Sequence, residues 1–168
     1  MADPARPKVA GVEWSQYQRR CPTPAEIHNW FANDNFGGIA IITGSISRLV
    51  VLDFDTQERY QQFRTQYPDL AQNHIVQTRR GFHIYFHLPP HLHLHLPSRK
   101  GPGIDLLSNG RYVIARPTCI DGHTYKLIRG GQPKTLTQFD IQRIARFLDN
   151  LSGAESITPN TAKHEFTA

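Results

Sequence analysis

Cysteine and long apolar runs are both scarce in this chain, and each shortage excludes a class of protein. The two cysteines, Cys21 and Cys119, lie far apart and show neither zinc-site spacing nor the density of a disulfide scaffold. They read as free thiols of a reducing compartment. No stretch approaches the roughly 18 apolar residues of a membrane helix, and Met1 to Gly11 lack the apolar segment of a secretory leader. The expected setting is therefore cytoplasmic, with no membrane partner. Acids are outnumbered: 14 Asp and Glu against 19 Lys and Arg give a net charge of +5 and a pI near 9.5. That balance suits a polyanionic partner, although a basic soluble protein would show it too. There is no internal repeat. What is present is 168 residues with 39% hydrophobic content, enough for one domain around one core.

Residues 1–20 read as an N-terminal arm anchored by Trp14 and Tyr17, residues 21–152 as the folded domain, and residues 153–168 as a polar, disordered tail. Thr23, Pro24 and Glu26 form a helix start with a capping box, and Ile27, Trp30 and Phe31 share one face. Asn33 to Asn35 and Gly37-Gly38 end that helix. Ile39–Thr43 and Leu49–Asp55 read as strands joined by a tight Gly44–Arg48 connection, a hairpin or close to one. Thr56 caps a second helix that buries Tyr60, Phe63 and Tyr67 and stops at Pro68. Strands are expected around His74–Thr78 and Phe82–Leu88, with Arg79-Arg80-Gly81 turning between them. Residues 89–103 read as a loop. Ile104–Leu107 and Arg111–Arg116 form a second expected hairpin through Asn109-Gly110, a strong turn signal. Thr124–Ile128 holds a short strand, and a last helix from Thr137 buries Ile141, Ile144, Phe147, Leu148 and Leu151. The order predicts an α+β fold with a mainly antiparallel sheet and packed helices.

Four features carry chemistry. Asp53 and Asp55 end an apolar strand; residues i and i+2 share a strand face, roughly 6.5–7 Å apart, so the two carboxylates project together. Such a pair needs a cation nearby, commonly a divalent metal, unless it is simply a solvated strand end. Thr78 to His83 is a basic turn, with Arg79, Arg80 and Gly81, delivering His83 onto a strand. Asp105 is a third carboxylate on a strand. Thr43, Gly44 and Ser45 begin a small-residue turn before the acidic strand. Together they suit a nucleoside triphosphate: three acids for a pair of metal ions, and Arg79, Arg80, His83 and free amides near Gly44 and Gly81 for phosphates.

The ordered segments Thr43–Asp55, Thr78–Phe86, Gly103–Asp105, Gly110–Pro117 and Gly122–Tyr125 resemble the bifunctional DNA primase/polymerase domain of the archaeo-eukaryotic primase superfamily. The likeness spans about residues 8–150. It implies an RRM-like catalytic core plus a small accessory α/β unit. It also implies that Asp53, Asp55 and Asp105 are catalytic and bind two Mg²⁺ or Mn²⁺ ions, and that His83 meets the phosphates of the incoming nucleotide. The implied partners are a single-stranded DNA template and primer, an NTP or dNTP, and a replicative helicase in plasmid- or phage-type replication. Arg111, Arg116, Lys126 and Arg129 are assigned to the DNA backbone from charge and position. Family members often carry a basic residue soon after the third acid; here Leu106-Leu107 follow, and Phe82 takes the place of a second glycine before the histidine.

Two other readings stand beside this one. His91, His93 and His95 alternate with leucines, as in the His-hydrophobic-His metal motif of rolling-circle nicking endonucleases. Such an enzyme also needs a nucleophilic tyrosine, for which Tyr60 and Tyr125 are loose candidates. A non-catalytic single-strand-binding module would use Trp14, Tyr17, Arg19-Arg20 and Arg99-Lys100 for stacking and charge.

Overall fold

The computed structural model describes residues 2–3, 6–32, 38–90 and 96–155. Its N-terminal part holds β1 (Ala2–Asp3), β2 (Arg6–Ala10), a 3-10 turn at Ser15–Gln18, α1 (Pro24–Phe31) and β3 (Ile39–Ile42). Next come β4 (Leu49–Phe54), α2 (Gln57–Gln66), β5 (His74–Gln77) and β6 (Phe82–His87). The remainder is β7 (Arg99–Gly101), β8 (Ile104–Leu107), β9 (Tyr112–Ala115), β10 (Cys119–Ile120), β11 (His123–Thr124), β12 (Lys126–Arg129), β13 (Lys134–Thr135) and α3 (Gln138–Glu155).

Local chemistry sets the helix ends. Thr23 accepts a hydrogen bond from the Glu26 amide while Glu26 accepts from the Thr23 amide, the reciprocal cap the sequence predicts. Thr56 caps α2 through the Arg59 amide. Tyr67, which precedes Pro68, leaves helical geometry with ψ 67°, as a residue before proline must. At α3 the Thr137 hydroxyl accepts from the Asp140 amide and Asp140 accepts from the Thr137 amide.

A seven-stranded sheet runs β12-β5-β6-β4-β8-β7 with antiparallel neighbours; β13 lies parallel to β6, continuing where β5 stops. One face carries Val50, Leu52, Phe54, Ile84 and Phe86 against Phe63 of α2 and Ile144, Phe147 and Leu148 of α3. Burying each such side chain contributes about 1.5–3 kcal/mol, which makes this the main core. Along β4 the opposite face is apolar only partway: Leu49 and Val51, with Tyr85 and Leu107, pack under Val113 and Ile114 of β9. One step along, at Asp53, the cover ends and polar side chains begin. β4 is thus buried on both faces, which explains its unbroken apolar run.

Several expectations are corrected. Leu49–Phe54 does not form a hairpin with Ile39–Ile42; a single Gly44–Leu49 bridge closes the turn, and β3 pairs instead with β9. Nor do β8 and β9 pair with each other across Asn109-Gly110. β8 joins the main sheet while β9 joins the small one, and between them the Asn109 Oδ1 accepts from the Ser45 amide and hydroxyl. The stretch 89–103 contains strand β7. Ile27 and Phe31 stay exposed, so α1 buries no apolar face of its own. α3 continues to Glu155, past the expected start of the tail at 153. The Asn33–Asn35 stop, the His91–His95 run and residues 156–168 lie outside the described residues. Tyr17 is buried and packs edge-on to Trp30, and Trp14 meets Tyr112, so the arm anchors fall where expected.

Candidate active site

The polar end of β4 organises the site. Asp53 faces His83 of β6 on one side and Asp105 of β8 on the other, and Lys100 of β7 faces Asp105. Directly opposed residues share a face with Cβ atoms about 4.5–5.5 Å apart, so Lys100, Asp105, Asp53 and His83 form one row across four strands. His83 Nε2 lies 3.3 Å from Asp53 Oδ1, and Lys100 Nζ lies 3.8 Å from Asp105 Oδ2. Asp55 sits just beyond β4, where its amide donates to the Gly103 carbonyl at 3.0 Å, at the entry to β8. Burial pushes the Asp105 carboxyl up, Lys100 opposes this, and the Asp53 and Asp55 carboxylates push it further up.

His83 is almost fully buried at its side chain. Its Nδ1 is 3.4 Å from the Tyr85 hydroxyl, and the Tyr125 ring stands edge-on with centroids 5.6 Å apart. Burial, and next the Asp53 charge, raise both phenols, so they remain protonated and able to donate. A notch of about 30 Å³ between the strands is lined by Asp53, Asp55, Thr78, Arg79, Arg80 and His83. A neighbouring cavity of about 160 Å³ shares Asp53, His83 and Tyr125 and extends to Tyr112 and Ile114. A further cavity, about 300 Å³, is apolar and lies apart from the acids.

The arginine turn is held by a hydrogen bond from the Thr78 amide to the Gly81 carbonyl and one from the Gly81 amide to the Thr78 hydroxyl. Glycine is needed at 81 for packing: a Cβ there would run into the Phe54 carbonyl oxygen. Arg79 pairs with Asp121 at 2.6 Å, both on the surface, and Arg80 is exposed. Thr43, Gly44 and Ser45 are not brought to the acids. Thr43 Oγ1 donates to the Ser108 carbonyl, and Ser45 is bound to Asn109. Gly44, at φ +94°, has no room for a Cβ beside Asn109. These donors are spent inside the fold. Arg111 and Arg116 are exposed on either side of β9, and Lys126 and Arg129 are exposed on edge strand β12.

Sequence reasoning missed three members of the site. Lys100 lies in a stretch read as loop, yet register brings it opposite the third acid on a neighbouring strand. Tyr85 was detectable, because it stands two residues beyond His83 on the same strand face. Asp121 carried no signal in the sequence. The loose nicking candidates fare poorly: Tyr60 is buried and stacked on Phe82, and Tyr125 is buried beside His83.

The carboxylates are hard oxygen donors of the kind Mg²⁺ and Mn²⁺ accept. As they stand, no three acid or histidine side chains among the described residues converge closely enough to grip an ion. Asp53 leans to His83 and Asp105 to Lys100, so the set fits such an ion in kind and holds it only if these side chains turn inward.

Fold and site together define an α+β domain whose sheet presents an acidic row flanked by arginines. The family model for the bifunctional DNA primase/polymerase, N-terminal, matches residues 2–139, and the chain belongs to that family. Membership implies an enzyme of nucleotidyltransferase type in DNA replication. No curated protein matches the chain closely enough to be set beside it. Among the described residues no helix is long and apolar enough to cross a membrane.

Proposed function

We propose that the protein is a DNA primase/polymerase that adds NTP or dNTP units to a 3′-hydroxyl under the direction of a single-stranded template. The hydroxyl oxygen bonds to the α-phosphorus, the bond to the bridging oxygen breaks, and pyrophosphate leaves. The observation that carries the reading is the in-register row of Asp105, Asp53 and His83, opening beside Arg79 and Arg80. Asp53, Asp55 and Asp105 would hold Mg²⁺ or Mn²⁺; when bound, a pair of such ions supplies charge neutralisation at the attacking and leaving oxygens. Arg79 and Arg80 offer guanidinium donors to the triphosphate. His83, steadied by Asp53 and Tyr85, presents its imidazole beside them. Arg111, Arg116, Lys126 and Arg129 meet the DNA backbone by charge.

The sheet order supports an RRM-like core. β4, α2 and β5 form a strand-helix-strand unit with β6 inserted antiparallel, and β8 flanks β4 on the other side. α3 covers the place of a second helix although it follows every strand. β1 to β3, α1 and β9 to β11 then make up the accessory unit. The setting is cytoplasmic, where exposed Cys21 and Cys119 stay reduced, and a replicative helicase is the expected partner. The test is purified protein with single-stranded template, labelled nucleotides and Mn²⁺ or Mg²⁺, with and without primer. Extension in the primed reaction supports the reading, and no product under either condition overturns it.

A further inference from the structure

The 300 Å³ apolar cavity takes no part in the chemistry above. It lies between the arm and the small sheet, and its walls include Trp14, Tyr17, Trp30, Ile41 and Tyr112. Its volume is at the lower end of the range for small-ligand sites, about 300–1,000 Å³. The aromatic rings meet edge-on, Trp14 to Tyr112 and Tyr17 to Trp30, each with centroids 5.1 Å apart. Tyr112 also lines the cavity that holds Asp53 and His83, so one residue lines both. Exposed Arg48 and Arg111 directly follow or precede the lining residues Ser47 and Tyr112.

An uncharged aromatic chamber with cations beside it, one side chain away from the acids, has the chemistry of a base-stacking pocket: ring faces take the base and arginines take the phosphate. We infer that this cavity receives an unstacked base of the single-stranded template, holding the strand next to the acidic row. This rests on the polymerase reading. The ligand class is a nucleobase carried on a single strand, as opposed to a free nucleotide.

The chain supplies its own reporter, because its two tryptophans both line the cavity. Cys21 lines it as well and is exposed, so the cavity can be blocked on folded protein without altering the core. The experiment titrates the full chain with oligothymidylate and follows tryptophan emission, alongside the anisotropy of end-labelled oligonucleotide. Emission should fall with the same midpoint as the anisotropy rises, and dTTP alone should leave it unchanged. Capping Cys21 with N-ethylmaleimide in Cys119→Ser protein should weaken oligonucleotide binding about tenfold, the scale of losing one stacked base. The inference is overturned by anisotropy binding with unchanged emission, by capped protein that binds as tightly, by equal quenching with dTTP, or by no binding at all. Protein that incorporates nucleotides yet fails these tests loses only the cavity assignment. Protein that passes them yet incorporates nothing loses only the polymerase reading.

Discussion

Asp53 and His83 face each other in register across β4 and β6, with 3.3 Å between Oδ1 and Nε2. The carboxylate that begins the acidic row is therefore also the group that fixes the imidazole, and on the proposed polymerase reading metal and phosphate binding would meet at this pair. Replacing Asp53 or Asp105 by Asn keeps the side-chain shape and removes the charge. Incorporation should fall at least about a hundredfold, because the lost charge stabilisation is worth several kcal/mol. Stability should change by less than about 1 kcal/mol. Single-turnover incorporation and thermal unfolding check the two halves, and unimpaired rates in either variant would contradict the acid assignment.

His83→Ala should weaken nucleotide binding about tenfold to a hundredfold, the value of a hydrogen bond to a charged group. Template affinity should be nearly unchanged. Tyr85→Phe removes only the hydroxyl near Nδ1 and should raise the nucleotide KM about twofold to tenfold. A Tyr85→Phe protein with wild-type KM would show that His83 needs no such support.

Gly81 meets the Phe54 carbonyl where α2 and β6 close on the end of β4. Gly81→Ala must push strands apart and should cost about 1–3 kcal/mol in urea unfolding. A change below about 0.5 kcal/mol would mean that the turn relaxes freely.

Asp69 should contribute to acid sensitivity. Two hydrogen bonds from Arg143, at 2.8 and 2.6 Å, hold its carboxyl well below the usual carboxylate range. A folded-state pKa depressed in this way gives stability that is fully present above about pH 4 and is lost as pH falls towards the depressed value. Wild-type protein should therefore lose more thermal stability between about pH 5 and 2 than Asp69→Asn, with a constant difference above that window. Because Asp69 is half exposed, the effect should shrink in high salt. Equal acid sensitivity of the two proteins would remove the Arg143 pairing from the account.

Local signals were readable in the sequence where they act locally. The Thr23–Glu26 and Thr137–Asp140 caps, the stop at Pro68 and the burial of Phe63 and Phe147 follow from spacing alone. Asp53, His83 and Asp105 could each be placed on a strand from the apolar residues around them, and the order of their segments singled them out together. Strand partners were not readable, because Asn109-Gly110 looks the same whether its strands pair or part. The partners are set at long range: β8 pairs with β4 and β9 with β3, while Asn109 bonds to Ser45, 64 residues away. Lys100 and Asp121 reach the site only through such long-range pairing, so nothing in their neighbourhoods distinguished them. The small-residue turn at Thr43–Ser45 mimicked a phosphate loop while serving as a structural clasp.

The reach of α3 has a practical consequence for anyone trimming the protein. The family match stops at residue 139, but Ile144, Phe147, Leu148 and Leu151 supply one wall of the main core. A fragment cut at the family boundary would leave the underside of the main sheet wet and prone to clumping. Expression work should keep the chain to at least residue 155.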